Sequence, residues 1–138
     1  MEQPKITFSS WIQWKDRNSV KDASRPGVYL LANLETAPPG SAEALDERVI
    51  YIGETCSNSL IGRWKDFYRS ATTGKFGHSG GLTYYRVFKG DASKLFVAAF
   101  PVDGLDGEMR SSFIRYVERK LIWEYAQEWG KLPICNRK

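Results

Sequence analysis

Two short stretches of the chain decide its fold: RPGVYLL at residues 25–31 and VIYIGET at residues 49–55. Both are rich in β-branched, aliphatic and aromatic residues, a composition that favours β-strands. The segment between them, LETAPPGSAEALDE, is polar and contains prolines and a glycine. The two strands are therefore predicted to pair antiparallel through a long hairpin loop at residues 34–48. Tyr29 and Tyr51 would then lie on neighbouring strands.

Helical patterns are predicted on both sides of this hairpin. The stretch SSWIQWKDR at residues 9–17 is typical of a short helix with a serine cap, and it would place Trp11 and Trp14 on one face in the core. After the second strand, cap residues precede SLIGRWKDFYRSA, in which apolar residues recur at helical spacing. This spacing predicts a helix.

The second half of the chain adds a loop, a strand and a long helix. TTGKFGHSGG is predicted to be a glycine-rich loop, LTYYRVFK fits a helix or a strand, and SKLFVAAFPV is predicted to be a strand. Apolar residues then recur every fourth position from Glu108 to about Trp129, which predicts a helix that ends at Gly130.

These elements predict an α+β fold, in which a small, mainly antiparallel three-stranded sheet is flanked by helices. A chain of 138 residues that is 42% hydrophobic is long enough for one compact domain and too short for two ordinary ones. We therefore expect residues 1–138 to form a single domain, with residues 1–25 as an N-terminal helical extension and residues 34–48 as an inserted hairpin loop.

Composition excludes several classes of protein. The apolar run LFVAAF falls far short of the roughly 20 residues that a membrane-spanning helix needs. The N-terminus MEQPKITFSS lacks the apolar region of a signal peptide, so we expect a cytoplasmic protein with no membrane partner. Two cysteines and one histidine cannot supply a zinc site, and the thiols are expected to be reduced.

The net charge of +4 is unevenly distributed. Residues 1–69 carry nine Lys or Arg and nine Asp or Glu, whereas residues 70–138 carry eleven and seven, which gives the whole excess of four positive charges. A basic half of the surface favours a polyanionic partner such as nucleic acid. A charge of this size is also ordinary for a globular domain.

One carboxylate does not fit a simple core. On the predicted last helix, Glu118 has Ile114, Leu121 and Ile122 as its neighbours one turn away. A carboxylate at such an apolar boundary needs a compensating partner, which could be an arginine of the protein or a divalent metal. The sequence leaves both possibilities open.

Arg63 and His78 also admit two interpretations each. Arg63 could form a surface ion pair with Asp66 on its own helix, or it could turn back over the strands. His78 lies in the stretch GHSGG, where it could be an exposed polar residue, a general base or a residue that contacts phosphate.

Five elements in order resemble the GIY-YIG nuclease family: GVY at residues 27–29, YIG at residues 51–53, Arg63 in the following helix, Glu118 within ERKLI, and Asn136 within PICN. The resemblance covers most of residues 26–138. It implies a small sheet flanked by helices and cleavage of phosphodiester bonds with a single divalent metal ion, Mg²⁺ or Mn²⁺.

The resemblance also implies a role for each matching residue. Tyr29 and Tyr51 would meet in one pocket and position or deprotonate the attacking water. Arg63 would stabilise charge on the phosphate, and Glu118 would bind the metal ion. Asn136 would hold the strand of the second tyrosine or the site in register.

Two departures from the family pattern change these implications. Many members have a histidine or tyrosine one helical turn after the arginine, whereas this chain has Phe67, which cannot accept a proton. His78 or Tyr68 is expected to take that role, and the sequence favours His78. The two tyrosines are also farther apart than is usual in the family, which an insertion at residues 34–48 explains.

The expected function is therefore metal-dependent endonuclease cleavage of DNA, with double-stranded DNA as partner. The basic residues expected to grip the phosphate backbone are Lys75, Lys89, Arg115, Arg119 and Lys120. The alternative is a nucleic-acid-binding module that has the fold but has lost cleavage, which the Phe67 substitution favours. A third interpretation, a protein-interaction domain, would require all five matches to be coincidental.

Overall fold

The structure is a computed structural model that describes residues 3–137. Within this range the chain forms four strands and three α-helices, with a 3₁₀ helix at Trp14–Ser19. The strands are β1 at Ile12–Gln13, β2 at Gly27–Asn33, β3 at Val49–Thr55 and β4 at Leu95–Pro101. The helices are α1 at Leu60–Thr73, α2 at Ser79–Phe88 and α3 at Gly107–Trp129.

The strands form one sheet in the order β1-β4-β2-β3, and all neighbouring strands are antiparallel. The hairpin of β2 and β3 is the one that the sequence predicted, and the α+β class is confirmed. The sheet has four strands and not three, because the short strand β1 pairs with the outer edge of β4. The opposite edge of the sheet is β3, which is the strand that carries Tyr51.

Helices cover both faces of the sheet. The helix α3 packs on one face, where Val117 and Leu121 belong to one buried cluster with sheet residues such as Leu30. The helices α1 and α2 lie on the other face, where Trp64 and Phe67 pack against Tyr29 and its neighbours. Since β2 and β4 are covered on both sides, their side chains are buried almost without interruption.

The predicted helix at residues 9–17 is wrong. Residues 12–13 form a strand, and a 3₁₀ helix begins only at Trp14. Trp11 and Trp14 are both buried, as expected, but they belong to the two clusters on opposite faces of the sheet. Side chains alternate between faces along extended chain, so the i, i+3 spacing did not put them on one face.

The glycine-rich segment was also assigned incorrectly in part. Residues 79–81 are not loop but the first turn of α2, and LTYYRVF continues the same helix, with Lys89 as its C-cap. Glycine is a poor helix former, but here a side chain would not fit. A Cβ on Gly81 would lie 2.6 Å from the carbonyl oxygen of Phe67, so close packing of α2 on α1 requires glycine.

The strand β3 contains a bulge that decides which side chains face α1. The pairing with β2 passes from Leu31↔Tyr51 to Ala32↔Val49 and leaves Ile50 without a partner. Ile50 and Tyr51 therefore belong to the same cluster, although they are consecutive.

Helix ends follow the sequence signals. The Ser59 hydroxyl accepts a hydrogen bond from the Gly62 N–H at the start of α1, and α3 ends where Gly130 adopts a left-handed conformation with φ of 71°. Between residues 3 and 137, no helix combines the length and apolar character needed to cross a membrane.

Candidate active site

The side chains of Tyr29 and Tyr51 lie together on the sheet face covered by α1 and α2. Tyr29 pairs across the strands with Gly53, and Tyr51 pairs with Leu31, so the two tyrosines are diagonal neighbours. Their ring centroids are 5.9 Å apart. The rings meet above Gly53, where a Cβ would lie 2.6 Å from Cζ of Tyr29 and 2.5 Å from Cε2 of Tyr51. Glycine at this position makes the tyrosine pair possible.

The two tyrosines differ in their access to solvent. Tyr29 is fully buried, whereas Tyr51 lines a cavity of about 550 Å³ at the edge of β3, together with Glu54 and Glu118. Burial raises the pKa of Tyr51 to about 12 and that of Tyr29 well above its usual value, although the charge of Arg63 opposes both shifts. Both hydroxyls are protonated at neutral pH, and Tyr51 is the one that faces the cavity.

His78 ends the loop after α1 and is the buried N-cap of α2. Its Nδ1 accepts a hydrogen bond from the Gly81 N–H at 3.1 Å, so the ring proton of the neutral imidazole lies on Nε2. Nε2 is 3.2 Å from the Tyr29 hydroxyl oxygen and donates to it. The Ser70 hydroxyl in turn accepts a hydrogen bond from the His78 backbone N–H at 3.2 Å. The imidazole thus joins α2 to the buried tyrosine.

These contacts leave His78 poorly placed to accept a proton. Burial, with a smaller contribution from the positive charge of Arg63, lowers the pKa of His78 to about 3. Nδ1 is already used as an acceptor, and Nε2 carries the proton. The geometry favours a role in which His78 orients the Tyr29 hydroxyl over one in which it acts as general base.

Phe67 packs against both Tyr51 and His78. Its ring stacks on Tyr51 with centroids 6.4 Å apart, and it meets the His78 ring edge-on at 5.4 Å. Phe67 is completely buried. The histidine or tyrosine that the family pattern places on α1 is thus absent, and the imidazole of the α2 N-cap packs beside that position. Tyr68, the other candidate for that role, is 37% exposed and stacks near Trp14 instead.

Glu118 projects from α3 into the cavity beside β3. Between residues 3 and 137 it forms no ion pair, which argues against the arginine partner considered from the sequence. Burial, and then the negative charge of Glu54, raise its pKa to about 7. Arg119 and Arg63 oppose this shift through their charges. The carboxylate therefore lacks a close partner and faces a cavity.

Glu54 is a second carboxylate of the site, which the sequence analysis missed. It follows Gly53 on β3 and lines the same cavity as Glu118. The Cys56 thiol donates a hydrogen bond to its Oε2 at 3.1 Å. The alternation of side chains in a strand places Glu54 on the same face as Ile52, which packs toward α3. The sequence did contain a signal for Glu54, because its carboxylate falls on an otherwise apolar face of the strand.

Arg63 turns toward this region and does not pair with Asp66. It lines a second cavity, of about 310 Å³, that adjoins the first because Glu54 and Arg115 border both. No ion pair within residues 3–137 includes Arg63. Its guanidinium is therefore available to an anion in the cleft formed by the two cavities, a cleft that also contains Tyr51, Glu54 and Glu118.

Asn136 holds the edge of β3. Its Nδ2 donates to the carbonyl oxygen of Ile52, and its Oδ1 accepts from the Ile52 N–H, both at 2.9 Å. The Cys135 N–H adds a bond to the carbonyl oxygen of Ile50 at 2.7 Å. The C-terminal segment thus pairs with the outer side of β3 on either side of Tyr51.

We expect Asn136→Ala to lower the free energy of unfolding by about 1–3 kcal/mol, because it leaves the N–H and carbonyl of Ile52 without partners in a partly buried place. Chemical denaturation monitored by circular dichroism measures this loss. Asn18→Ala, in the exposed part of the 3₁₀ helix, is the matched control and should change stability by less than about 0.5 kcal/mol. Equal stability of the two variants would contradict the role assigned to Asn136.

The basic residues proposed from the sequence lie at different places in the fold. Arg115 and Arg119 line the cavity of Glu118. Lys120 forms an ion pair with Glu124 at 2.6 Å, and Lys89 lies at the C-terminus of α2. Neither lysine lines this cleft, and neither does Lys75 in the loop after α1. Of these five residues, the fold therefore brings the two arginines on α3 to the cleft, where Arg63 and Arg137 are also found.

The residues of the cleft fit Mg²⁺ or Mn²⁺ only as a sparse protein ligand set. Among residues 3–137, no three His, Cys, Asp or Glu side chains come together as a metal centre. Glu118 and Glu54 nevertheless offer two carboxylates in one cavity. Hard divalent ions prefer oxygen ligands, and Mg²⁺ commonly keeps several waters and takes phosphate oxygens of a substrate.

Comparison with known proteins adds no assignment: no protein-family model, no curated protein and no solved structure matches the chain. The GIY-YIG resemblance therefore remains a hypothesis based on the motifs in the sequence.

Proposed function

We propose that this protein is a divalent-metal-dependent endonuclease that hydrolyses phosphodiester bonds in DNA. The observation that carries the proposal is the meeting of Tyr51 from β3, Arg63 from α1 and Glu118 from α3 in one cleft. A hydroxyl, a guanidinium and a carboxylate with a raised pKa are groups that can orient water, stabilise phosphate charge and bind a metal ion.

Tyr51 orients the attacking water in this proposal. Its pKa of about 12 keeps the hydroxyl protonated, so it acts as a hydrogen-bonding group and not as a phenolate base. Tyr29, held by His78, packs behind it and limits its motion. The family resemblance implied that tyrosine positions or deprotonates the water. Of these two roles, we propose only positioning for Tyr51.

Arg63 stabilises the negative charge that develops on the phosphate during hydrolysis. Its guanidinium is permanently charged and planar, which suits two parallel hydrogen bonds to phosphate oxygens. Because the cleft is partly closed to water, the fixed charge acts more strongly than it would at an open surface.

Glu118 and Glu54 would hold the metal ion, with Glu118 in its carboxylate form. When bound there, Mg²⁺ or Mn²⁺ would polarise the phosphoryl group as a Lewis acid and would stabilise the leaving oxygen. Arg115 and Arg119, at the margin of the same cavity, neutralise neighbouring phosphates of the strand.

A second candidate function is binding of nucleic acid without cleavage. Phe67 favours it, since this buried hydrocarbon ring stands where the family pattern has a proton acceptor. The low pKa of His78 also means that the imidazole does not restore that acceptor. One measurement, cleavage of DNA in the presence of a divalent metal ion, distinguishes the two functions.

We expect the purified protein to nick or linearise supercoiled plasmid DNA with Mg²⁺ or Mn²⁺ and to leave it intact with chelator. A double variant, Arg63→Ala/Glu118→Gln, should be inactive and thereby exclude a contaminating nuclease. Cleavage is read from the loss of the supercoiled band on agarose gels over time. DNA binding by the wild type without cleavage under any metal would support the second candidate and contradict the first.

A further inference from the structure

A third cavity, of about 300 Å³, lies on the other side of Arg63 from the carboxylates. Its lining includes Arg63, Asp66, Arg69, Phe76 and His78. The side chain of Arg63 thus separates this cavity from the cleft of Glu54 and Glu118. His78 is neutral at neutral pH, so two arginines and one aspartate leave a net charge of +1 in the lining.

Arg69 is held over this cavity by an aromatic ring. Its Cζ lies 4.2 Å from the ring centroid of Phe76. Stacking uses the face of the guanidinium and leaves the N–H groups around its rim free to donate. Within residues 3–137, Arg69 forms no ion pair. The side chain is therefore positioned but keeps its capacity for an anion.

The backbone at Phe76 adopts a rare conformation. Its φ is 72°, a left-handed value that bulky residues seldom adopt, and the residue is 54% exposed. An exposed aromatic residue in a strained conformation contributes little to a core. Residues of this kind concentrate at binding sites, where the surrounding structure fixes them for a purpose. In this protein, the function of Phe76 is to stack on the Arg69 guanidinium.

We propose that the third cavity binds a backbone phosphate of the DNA strand next to the one that is cleaved, with Arg69 as its ligand and Phe76 as the residue that positions Arg69. This inference rests on the proposed function for the identity of the strand. The strand then passes along both sides of Arg63, with the carboxylates on one side and the Arg69 cavity on the other.

Binding of a fluorescein-labelled DNA duplex tests the proposal by anisotropy, in a Glu118→Gln background that does not cut. Arg69→Ala should weaken binding about tenfold, as expected for one charged hydrogen-bonded contact. It should also lower the slope of log affinity against log salt concentration by about one. Arg86→Ala, which removes an exposed arginine from α2, is the matched control and should change affinity much less.

The variant Phe76→Gly tests the positioning of Arg69 separately from its charge, because it removes the stacking ring and keeps the arginine. Glycine adopts the left-handed conformation freely, so the thermal midpoint should not fall, while affinity should fall about as much as in Arg69→Ala. The double variant should bind no more weakly than Arg69→Ala alone, because both substitutions remove one contact.

Wild-type affinity in Phe76→Gly, additive losses in the double variant, or an equal loss in Arg86→Ala would overturn the proposal. Failure of the parent variant to bind the duplex at all would also overturn it. If the coupling between Arg69 and Phe76 is found but the wild type cuts no DNA, the phosphate site stands and the endonuclease assignment fails.

Discussion

Glu118→Gln is expected to slow plasmid cleavage by roughly 10³-fold or more at saturating Mg²⁺, since metal coordination supplies several kcal/mol of transition-state stabilisation. Glutamine keeps the size and hydrogen-bonding shape of the side chain but removes its negative charge. The carboxylate has no ion pair to lose within residues 3–137, so the fold should tolerate the change. Gel assays of single-turnover cleavage measure the effect.

The pKa of Glu118 predicts how activity depends on pH. With a pKa of about 7, the carboxyl group is largely protonated below neutrality, and a metal ion must displace that proton. Activity at limiting Mg²⁺ should therefore fall as pH decreases through about 7, and higher Mg²⁺ should move the midpoint to lower pH. His78, with a pKa of about 3, should contribute no ionisation in this range.

The raised pKa of Glu118 also makes the stability of the metal-free protein depend on pH. Folding raises its pKa from 4.5 to about 7, so the neutral form is favoured in the folded state. The protonated carboxyl group therefore contributes to the free energy of unfolding. This contribution is fully present below about pH 4.5 and is lost as pH rises through about 7. At pH 8, Glu118→Gln should be more stable than the wild type by about 1 kcal/mol, after allowance for partial exposure, and the difference should be smaller in acid.

Glu128→Gln is the matched control for these measurements. Glu128 lies on α3 as well, but it is exposed and borders neither of the two cavities of the cleft. Its substitution should leave cleavage and the pH profile unchanged. Full activity in Glu118→Gln, or an equal loss in Glu128→Gln, would contradict a metal-binding role for Glu118.

Gly53→Ala is expected to damage both stability and cleavage. The new methyl group would lie 2.6 Å from Cζ of Tyr29, 2.8 Å from its hydroxyl oxygen and 2.5 Å from Cε2 of Tyr51. Both rings are packed against Phe67 or Trp64 and have little room to move. Overpacking of this kind costs about 1–3 kcal/mol of folding free energy. Displacement of Tyr51 should also reduce cleavage at least about tenfold, since small errors in placing a catalytic group are costly.

Urea denaturation and plasmid cleavage measure the two effects of Gly53→Ala separately. Gly40→Ala is the control for activity, because a Cβ at that position meets nothing, although its φ of 82° strains any other residue. Gly40 lies in the loop before β3, so cleavage per folded molecule should stay at the wild-type level. A Gly53→Ala protein with unchanged stability and activity would show that the tyrosine pair does not depend on this glycine.

Sequence patterns predicted the parts of the fold that local signals determine. The strands β2, β3 and β4 and the helices α1 and α3 have clear periodicity and clear ends, such as Ser59 before α1 and Gly130 after α3. The helix predicted at residues 9–17 failed because β4 offers β1 a pairing edge. Tertiary contacts of this kind override local propensity.

Much of the candidate site was predictable from motif residues, and the remainder depends on packing. The meeting of Tyr29 and Tyr51 followed from antiparallel pairing of their strands. The bulge at Ile50, which puts two consecutive side chains on one face, leaves no signature in the local pattern. The place of His78 could not be derived either, because α2 begins with glycines that only close contact with α1 and Tyr51 explains.

The bonds between Asn136 and Ile52 join residues 84 positions apart in the chain. Local contacts form sooner in folding than distant ones, because closing a long loop costs more chain entropy. The hairpin that carries both tyrosines can therefore form before α3 and the segment after it have docked. In a refolding chain we therefore expect the hairpin to form early and the cleft to be completed last, since the cleft also needs α3 and Asn136.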